Sequence, residues 1–320
     1  MKTINHSELK ESLKEFDLFI CCSSFEERGL KVAKHFEADK IQNILICHYK
    51  KNYPEANSNL EELKGHFNNK AKVIEIYRNR PLSNYDKLFQ SVLDCNFSNA
   101  LLDISTFTRE NFLMILKLFQ QIPFKTKKLT LCYNPSKNYS SNSSKNIEKL
   151  WLSKGVRNIR AVLGYSGDFY PIKKLLLIVL VGFEVERAQI IIDNFEPSVL
   201  LLGKAPKEKS YNSELAIINE LKFNKLKSLN PDSRLFEFSC IEFQPTIEAL
   251  SSIIEQNSNN YNIVISPLNN KISTLAVAAT VNKYPEVQIC YASTNVYNIN
   301  AYSSSSDDIY LIDAHELEKV

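Results

Sequence analysis

Short apolar runs alternate with amphipathic segments along almost the whole chain. Five apolar runs of the first half predict strands: DLFICC, NILIC, KVIEIY, ALLDI and LTLCY. The second half has five more: LLLIVLV, SVLLLG, RLFEFS, NIVIS and VQICYA. Runs that are apolar throughout belong to strands covered on both faces, so they predict parallel sheets between layers of helices.

Helical periodicity fills the segments between these strands. It predicts helices over 25–37, 60–68, 85–93 and 109–121 in the first half, and over 185–195, 213–229, 246–256 and 272–284 in the second. Right-handed crossovers then make each half a doubly wound, Rossmann-like α/β layer, for which we expect the strand order 3-2-1-4-5.

The two halves also resemble each other residue by residue. FEERGLKVAKHF parallels FEVERAQIIIDNF, and Arg28 and Arg187 each precede a phenylalanine by eight residues. Any two α/β domains share some of this pattern, but the matched positions favour an internal duplication that gives two tandem Rossmann-like domains with parallel sheets. Either arginine could instead serve the fold alone, by pairing with a carboxylate on a neighbouring helix.

Polar segments suggest where the domains end. We expect a first domain over 1–135, a polar linker with a short helix around Trp151 over 136–172, a second domain over 173–302 and a tail over 303–320. Ser, Asn, Gly and Pro are dense in the linker, as in exposed loops. In the tail, the run IYLIDAHEL would add an edge strand.

Composition indicates a soluble globular protein. Hydrophobic residues make up 44% and charged residues 23% of the 320, and the net charge is only +3. Such a charge gives no strong signal for nucleic-acid binding. The polar start lacks the features of a signal peptide, and the most apolar run, LLLIVLVGF, is too short to cross a membrane. Seven cysteines without a C-x-x-C pair favour reduced thiols in a cytoplasm.

Several enzyme classes are disfavoured by missing motifs. The chain has only seven glycines and contains neither G-x-G-x-x-G nor G-x-x-x-x-G-K-[ST], so a conventional dinucleotide oxidoreductase or P-loop NTPase is not expected. It also contains no H-E-x-x-H and no G-x-S-x-G. We therefore predict no metal site and no cofactor other than a nucleotide ligand.

The most polar strand-to-helix turns of the first half follow strands one and four. These strands flank the point where strand order reverses, which is where open α/β sheets bind ligands. The turns CCSSFEER and DISTFTREN supply the candidate ligand-binding residues Ser23, Ser24, Asp103, Ser105, Thr106, Thr108 and Arg109. Hydroxyls and an arginine at a helix start suit a phosphate.

Helix capping is an alternative role for some of these side chains. Ser24 and Glu27 fit a capping box, while Thr106 or Thr108 fits an N-cap that would leave Arg109 on a solvated face. The corresponding candidates of the second half are Gly182, Glu184, Ser266, Asn269 and Lys271. In the turn that corresponds to DISTFTREN, the second half lacks the acid, and Lys271 keeps the positive charge of Arg109 without its bidentate guanidinium.

The segment DISTFTR resembles the Asp/Asn-x-Ser/Thr-x-x-x-Arg/Lys signature of CRISPR-associated Rossmann fold (CARF) domains. Those domains sense cyclic oligonucleotide second messengers. The resemblance implies that Asp103, Ser105 and Arg109 lie at the ligand, opposite Ser23 and Ser24. Lys271 keeps the last position of the signature in the second half, but Ile265 and Pro267 replace the acid and the hydroxyl.

The sequence thus predicts a protein that binds a nucleotide or another phosphorylated signalling ligand, as part of a prokaryotic antiviral defence system. It would act with a separate effector protein or by forming a homo-oligomer. One alternative is an enzyme that cleaves nucleosides or nucleotides, of glycosidase or NADase type, with Glu26, Glu27 or Glu184 as its carboxylate. Another is a ligand-free scaffold for protein assembly.

Overall fold

Five parallel strands form the centre of the first sheet. The computed structural model describes residues 1–49, 53–139, 151–299 and 303–317. The five strands are β2 (Leu18–Ser23), β3 (Asn43–Tyr49), β4 (Lys72–Ile76), β5 (Asn99–Asp103) and β6 (Lys128–Tyr133). They lie in the order β6-β5-β2-β3-β4, which confirms the predicted order 3-2-1-4-5 and its reversal between β2 and β5.

Two antiparallel strands complete this sheet beyond β6. They are β15 (Asp308–Asp313), which pairs with β6, and β1 (Lys2–Asn5), which pairs with β15. The expectation of an edge strand in the tail was therefore wrong, because β15 lies between two neighbours. Ile309 and Ile312 of β15 are completely buried, which explains why an apolar C-terminal run joins the first core. A separate ladder joins β7 (Ser136–Tyr139) to β14 (Ser303–Ser305).

The second sheet repeats the same parallel order. Its strands are β8 (Ser153–Ala161), β9 (Lys174–Leu180), β10 (Val199–Lys204), β11 (Arg234–Glu237), β12 (Tyr261–Pro267) and β13 (Gln288–Tyr297). They are arranged β11-β10-β9-β12-β13-β8, with β8 antiparallel to β13. Two Rossmann-like layers with one topology agree with the predicted duplication.

The described part of the segment expected to be a linker contributes two strands, β7 and β8. Residues 140–150 of this segment lie outside the described part of the chain, and from Ser153 the chain forms β8. Val156 and Ile159 pack against the second core, so this polar segment is ordered by its pairing with β13. By their contacts, the described residues 1–139 and 303–316 form one unit, and 151–299 form the other.

The described helices agree with seven of the eight predicted ones, and α1 was not predicted. They are α1 (His6–Ser12), α2 (Arg28–Lys31), α3 (Pro54–His66), α4 (Pro81–Leu93), α5 (Arg109–Phe119), α6 (Val185–Phe195), α7 (Ser213–Leu229), α8 (Gln244–Asn257) and α9 (Lys271–Lys283). Helices α3 and α4 begin with a proline, a residue suited to the first helical position. No helix in the described ranges is long and apolar enough to span a bilayer.

The exception is α2, which covers four residues of the predicted 25–37. Its N-cap is Glu27, with no side-chain capping bond, so the predicted capping box of Ser24 and Glu27 was wrong. The carboxylate of Glu26 turns to the side chain of Arg28, and the chain then continues as the 3-10 turn Ala33–His35. All seven cysteines are free thiols, and six of them are buried.

Candidate functional site

The loops that follow β2 and β5 meet at the carboxyl edge of the first sheet, as the topology predicts. The Thr106 hydroxyl donates a 2.7 Å hydrogen bond to the carbonyl of Cys22, the penultimate residue of β2. Gly29 lies on the other side of Thr106, where an added Cβ would come within 3.0 Å of its Oγ1. Thr106 therefore ties the two loops together.

Two other candidate side chains of this turn point into the protein. The Asp103 carboxylate accepts a 2.9 Å hydrogen bond from the Ser105 amide, and the Ser105 hydroxyl accepts one of 2.9 Å from the Asn134 amide. Ser105 is completely buried. Asp103 and Ser105 therefore hold the backbone of the turn in place. The half-buried residues of the motif are Thr108 and Arg109.

Thr108 is the N-cap of α5, one of the two positions predicted for it. Its Oγ1 accepts from the Asn111 amide at 3.3 Å and from the Tyr49 hydroxyl at 3.0 Å. The Tyr49 hydroxyl in turn accepts hydrogen bonds from the Thr108 amide at 3.2 Å and from Nδ2 of Asn111 at 2.6 Å. Nine of the eleven α5 residues are buried, so the start of this helix is held firmly in place.

Arg109 is the first residue of α5 and is half-buried. The amides of a first helical turn carry partial positive charge, which makes a cation unfavourable there for the helix itself. The start of α5 thus combines first-turn amides with an arginine in the same turn, which are groups of the kind that anions favour.

The end of β2 carries a hydrogen-bonded pair with β3. Ser23 Oγ lies 2.7 Å from Nδ1 of His48, its register partner on β3. Burial lowers the pKa of His48, which favours the neutral imidazole. At the next residue, the Ser24 carbonyl accepts a 2.6 Å hydrogen bond from Asn59 of α3.

Aromatic and basic side chains at the ends of β3 and β4 were not among the predicted site residues. The guanidinium of Arg78 lies 5.8 Å from the ring centres of both Tyr49 and Tyr53. Tyr77 contacts Arg80 and Lys87, with the cations 5.2 and 4.7 Å from its ring. The run YRNR immediately after β4 was the available signal, since it places two arginines at the carboxyl edge of the sheet.

Two of the three glutamates considered for catalysis, Glu26 and Glu184, occupy matching ion pairs. In the first unit Arg28 donates from Nε to Glu26 at 2.7 Å and from Nη1 to the Asn134 carbonyl at 3.1 Å. The Ser303 hydroxyl donates to the same carboxylate. Glu26 is thus held by an arginine and a serine, while Glu27 is exposed at the N-cap.

The second unit repeats this arrangement. Arg187 donates to Glu184 at 2.8 Å and to the Ala292 carbonyl, and the Ser153 hydroxyl donates to Glu184. Burial alone would lower the pKa of Arg187, but the adjacent Glu184 carboxylate raises it above its ordinary value. Both carboxylates are therefore bound by the protein's own groups.

The crevice of the second unit is closed by backbone at the point where strand order reverses. An added Cβ on Gly182 would lie 2.2 Å from the Leu268 carbonyl, so the turns after β9 and β12 are in direct contact. Asn269 Nδ2 donates to the Val181 carbonyl at 2.6 Å, which holds the two turns together. Ser266 is completely buried.

Lys271 begins α9 as Arg109 begins α5, and it is also half-buried. Asn270 caps this helix by accepting from the Ser273 amide at 3.0 Å. A surface pocket of about 350 Å³ lies elsewhere in the unit, before α7. It is lined by Lys207, Glu208, Ser210, Asn212 and Ser213. The candidates Gly182, Glu184, Ser266 and Asn269 do not border it.

No family model matches the chain, and no curated protein matches its sequence. A solved structure with a similar fold is that of a type III CRISPR defence DNA nuclease activated by cyclic oligoadenylate. The TM-score is 0.50 and the identity is 8%. The match covers 82% of this chain but only 63% of the nuclease. At this identity the likeness shows a common fold.

Proposed function

We propose that the first unit binds a nucleotide-like, phosphorylated signalling ligand at the carboxyl edge of β2 and β5. The observation that carries this proposal is the half-buried Arg109 in the first turn of α5, beside the capped and rigid start of that helix. A guanidinium with adjacent first-turn amides provides charge-assisted donors for a phosphate. Ser23 and His48 lie on the neighbouring strand ends, where they would meet the sugar or the base.

A role in antiviral defence has coarser support. The nuclease of similar fold is activated by cyclic oligoadenylate, a phosphorylated nucleotide ligand of the proposed class. This chain spans 63% of that protein's length. We therefore propose that it senses its ligand in the cytoplasm and acts through a separate effector chain or through self-assembly.

The second unit is proposed to serve mainly as a structural partner. Its turns after β9 and β12 fill the reversal point with their own backbone and with Asn269. Of the two units, only the first is therefore assigned the ligand. The ion pairs of Glu26 and Glu184 likewise support binding over cleavage, because a carboxylate already neutralised by an arginine is a poor nucleophile or base.

Replacing Arg109 tests this proposal. Arg109→Ala should weaken the binding of cyclic oligoadenylates by about 10- to 100-fold, because a hydrogen bond to a charged group contributes about 1.5–3 kcal/mol. Titration calorimetry measures the affinity, and thermal unfolding checks that the fold is intact. Lys271→Ala changes the equivalent position of the second unit and should bind like the wild type.

The expected loss extends to any ligand that co-purifies. Mass spectrometry of small molecules released from the wild-type protein should identify a phosphorylated nucleotide that is absent from folded Arg109→Ala protein. Equal binding by the two proteins would refute a phosphate role for Arg109. Loss of binding in Lys271→Ala instead would move the site to the second unit.

A further inference from the structure

We infer that Arg78, held by Tyr49 and Tyr53, forms a second phosphate subsite of the first unit. Two cationic positions would make the site select ligands with phosphates on successive nucleotides over a mononucleotide. This inference rests on the proposed binding of a phosphorylated ligand at Arg109. Arg78 would determine ligand specificity from the loop after β4, whereas the predicted ligand residues of this unit lie in the turns after β2 and β5.

The position of Arg78 suits an anion-binding role. It stands two residues beyond Ile76, the last residue of β4, and is half-buried at the carboxyl edge of the sheet. Tyr49 and Tyr53 each have their ring centre 5.8 Å from its guanidinium carbon. Aromatic contacts of this kind restrain a flat guanidinium, while its N–H donors lie in the guanidinium plane and suit bidentate contact with a phosphate.

Tyr49 connects this position to the start of α5. The ring of Tyr49 contacts Arg78, while its hydroxyl is hydrogen-bonded to the side chains of Thr108 and Asn111 and to the Thr108 amide. Tyr49 is buried, and these bonds fix its orientation. The spacing between Arg78 and the first turn of α5 is therefore set by one immobile side chain.

The class of ligand follows from two cationic positions with Tyr49 between them. The guanidinium carbon of Arg78 lies 5.8 Å from the ring centre of Tyr49, whose hydroxyl lies 3.0 Å from Oγ1 of Thr108, the residue before Arg109. Successive nucleotides of an oligonucleotide can present one phosphate to each position, whereas a mononucleotide presents a single phosphate. A ligand that reaches both sites would lie across Tyr49, with one phosphate near Arg109 and the next near Arg78.

A purely structural role for Arg78 makes a different prediction. If its contacts with Tyr49 and Tyr53 only stabilise the loops after β3 and β4, replacing it would lower stability without changing ligand preference. Arg80 provides a matched control because it belongs to the same loop, is exposed and contacts Tyr77 instead of Tyr49.

The test compares two defined probes, AMP and the 5′-phosphorylated linear dinucleotide pApA, by titration calorimetry at low salt. Arg78→Ala should weaken pApA binding by about 10-fold or more, the effect of one lost charge-assisted hydrogen bond. It should leave AMP binding within about twofold, well below that expected loss. Arg80→Ala should bind both probes like the wild type. Arg109→Ala should lose both.

Salt dependence supplies a second readout. Each phosphate contact with a single strand contributes about −0.7 to the slope of log K against log salt concentration, so Arg78→Ala should flatten the pApA slope by about that amount. Arg78→Lys keeps the charge and should keep the slope while losing part of the affinity. It also replaces Arg78→Ala if that variant does not fold.

The outcomes separate this inference from the proposed function. If wild-type protein binds and Arg109→Ala does not, but Arg78→Ala binds pApA normally, the second subsite is refuted and the proposed function stands. An equal loss of AMP and pApA in Arg78→Ala also refutes it, because the residue then does not discriminate. Failure of the wild-type protein to bind either probe overturns the proposed function and this inference together.

Discussion

A buried ion pair lies at the start of the helix that follows β9. Glu184 and Arg187 both have side chains less than one-tenth exposed, and Ser153 and the Ala292 carbonyl complete their hydrogen bonding. Removing one member of such a pair leaves the other charge buried without compensation. Arg187→Ala should therefore lower the free energy of unfolding by about 3–5 kcal/mol.

Urea unfolding monitored by circular dichroism measures that loss. Lys204→Ala is the control, because its ion pair with Glu220 is half-exposed and should contribute less than about 1 kcal/mol. If Arg187→Ala is no less stable than Lys204→Ala, the pair is not a structural anchor. The carboxylate of Glu184 would then again be a candidate for chemistry.

Residue types in the sequence located the first crevice but could not give side-chain directions. In DISTFTR, Asp103, Ser105 and Thr106 bind backbone groups, whereas Thr108 caps α5 and Arg109 begins it. All five are polar, so the sequence alone made them equal candidates. Arg78 was missed for the opposite reason. Its partners Tyr49 and Tyr53 come from another segment, so no single run of the sequence brings the three side chains together.

At the scale of elements, the strands were predictable where burial on both faces makes them continuously apolar. All ten predicted strands are present, and α6 and α7 begin and end at the predicted residues. The sequence failed where order depends on a distant partner. β8 is a polar strand that forms against β13, and β15 is ordered by pairing with β6 and β1.

The close contact between the turns after β9 and β12 can be tested by substitution of Gly182. In Gly182→Ala, the new Cβ would lie 2.2 Å from the Leu268 carbonyl, so backbone must move. We expect this overpacking to lower the free energy of unfolding by about 1–3 kcal/mol or more. Chemical denaturation of the variant measures the change.

Gly65→Ala is the matched control. Gly65 belongs to α3 and has no atom within 4 Å of an added Cβ. Alanine there should stabilise the protein by about 0.5–1 kcal/mol, because it disfavours the unfolded chain and fits the helix. A Gly182→Ala variant as stable as Gly65→Ala would show that the second crevice is more open than the backbone contact implies.

At the scale of the whole molecule, the first unit is discontinuous in sequence. Its described part combines 1–139 with 303–316, and the second unit lies between them along the chain. The sequence analysis placed the end of the first domain at residue 135. A hydrophobic pattern indicates that a segment forms a strand, but it does not show which sheet a strand much later in the chain joins. Because β15 pairs with both β1 and β6, the first unit depends on this late strand.

A chain ending at residue 299 tests that dependence. It lacks β15, whose Ile309, Tyr310 and Ile312 are buried, and each such side chain contributes about 1.5–3 kcal/mol. Their sum approaches the 5–15 kcal/mol of a typical domain, so the first unit should lose most of its stability. Hydrogen exchange should show β2–β6 unprotected while β9–β13 keep their protection, and a chain ending at Leu317 should match the full-length protein. Wild-type protection of β2–β6 without β15 would mean that the five parallel strands and their helices are a complete folding unit, with the C-terminal strand only an accessory.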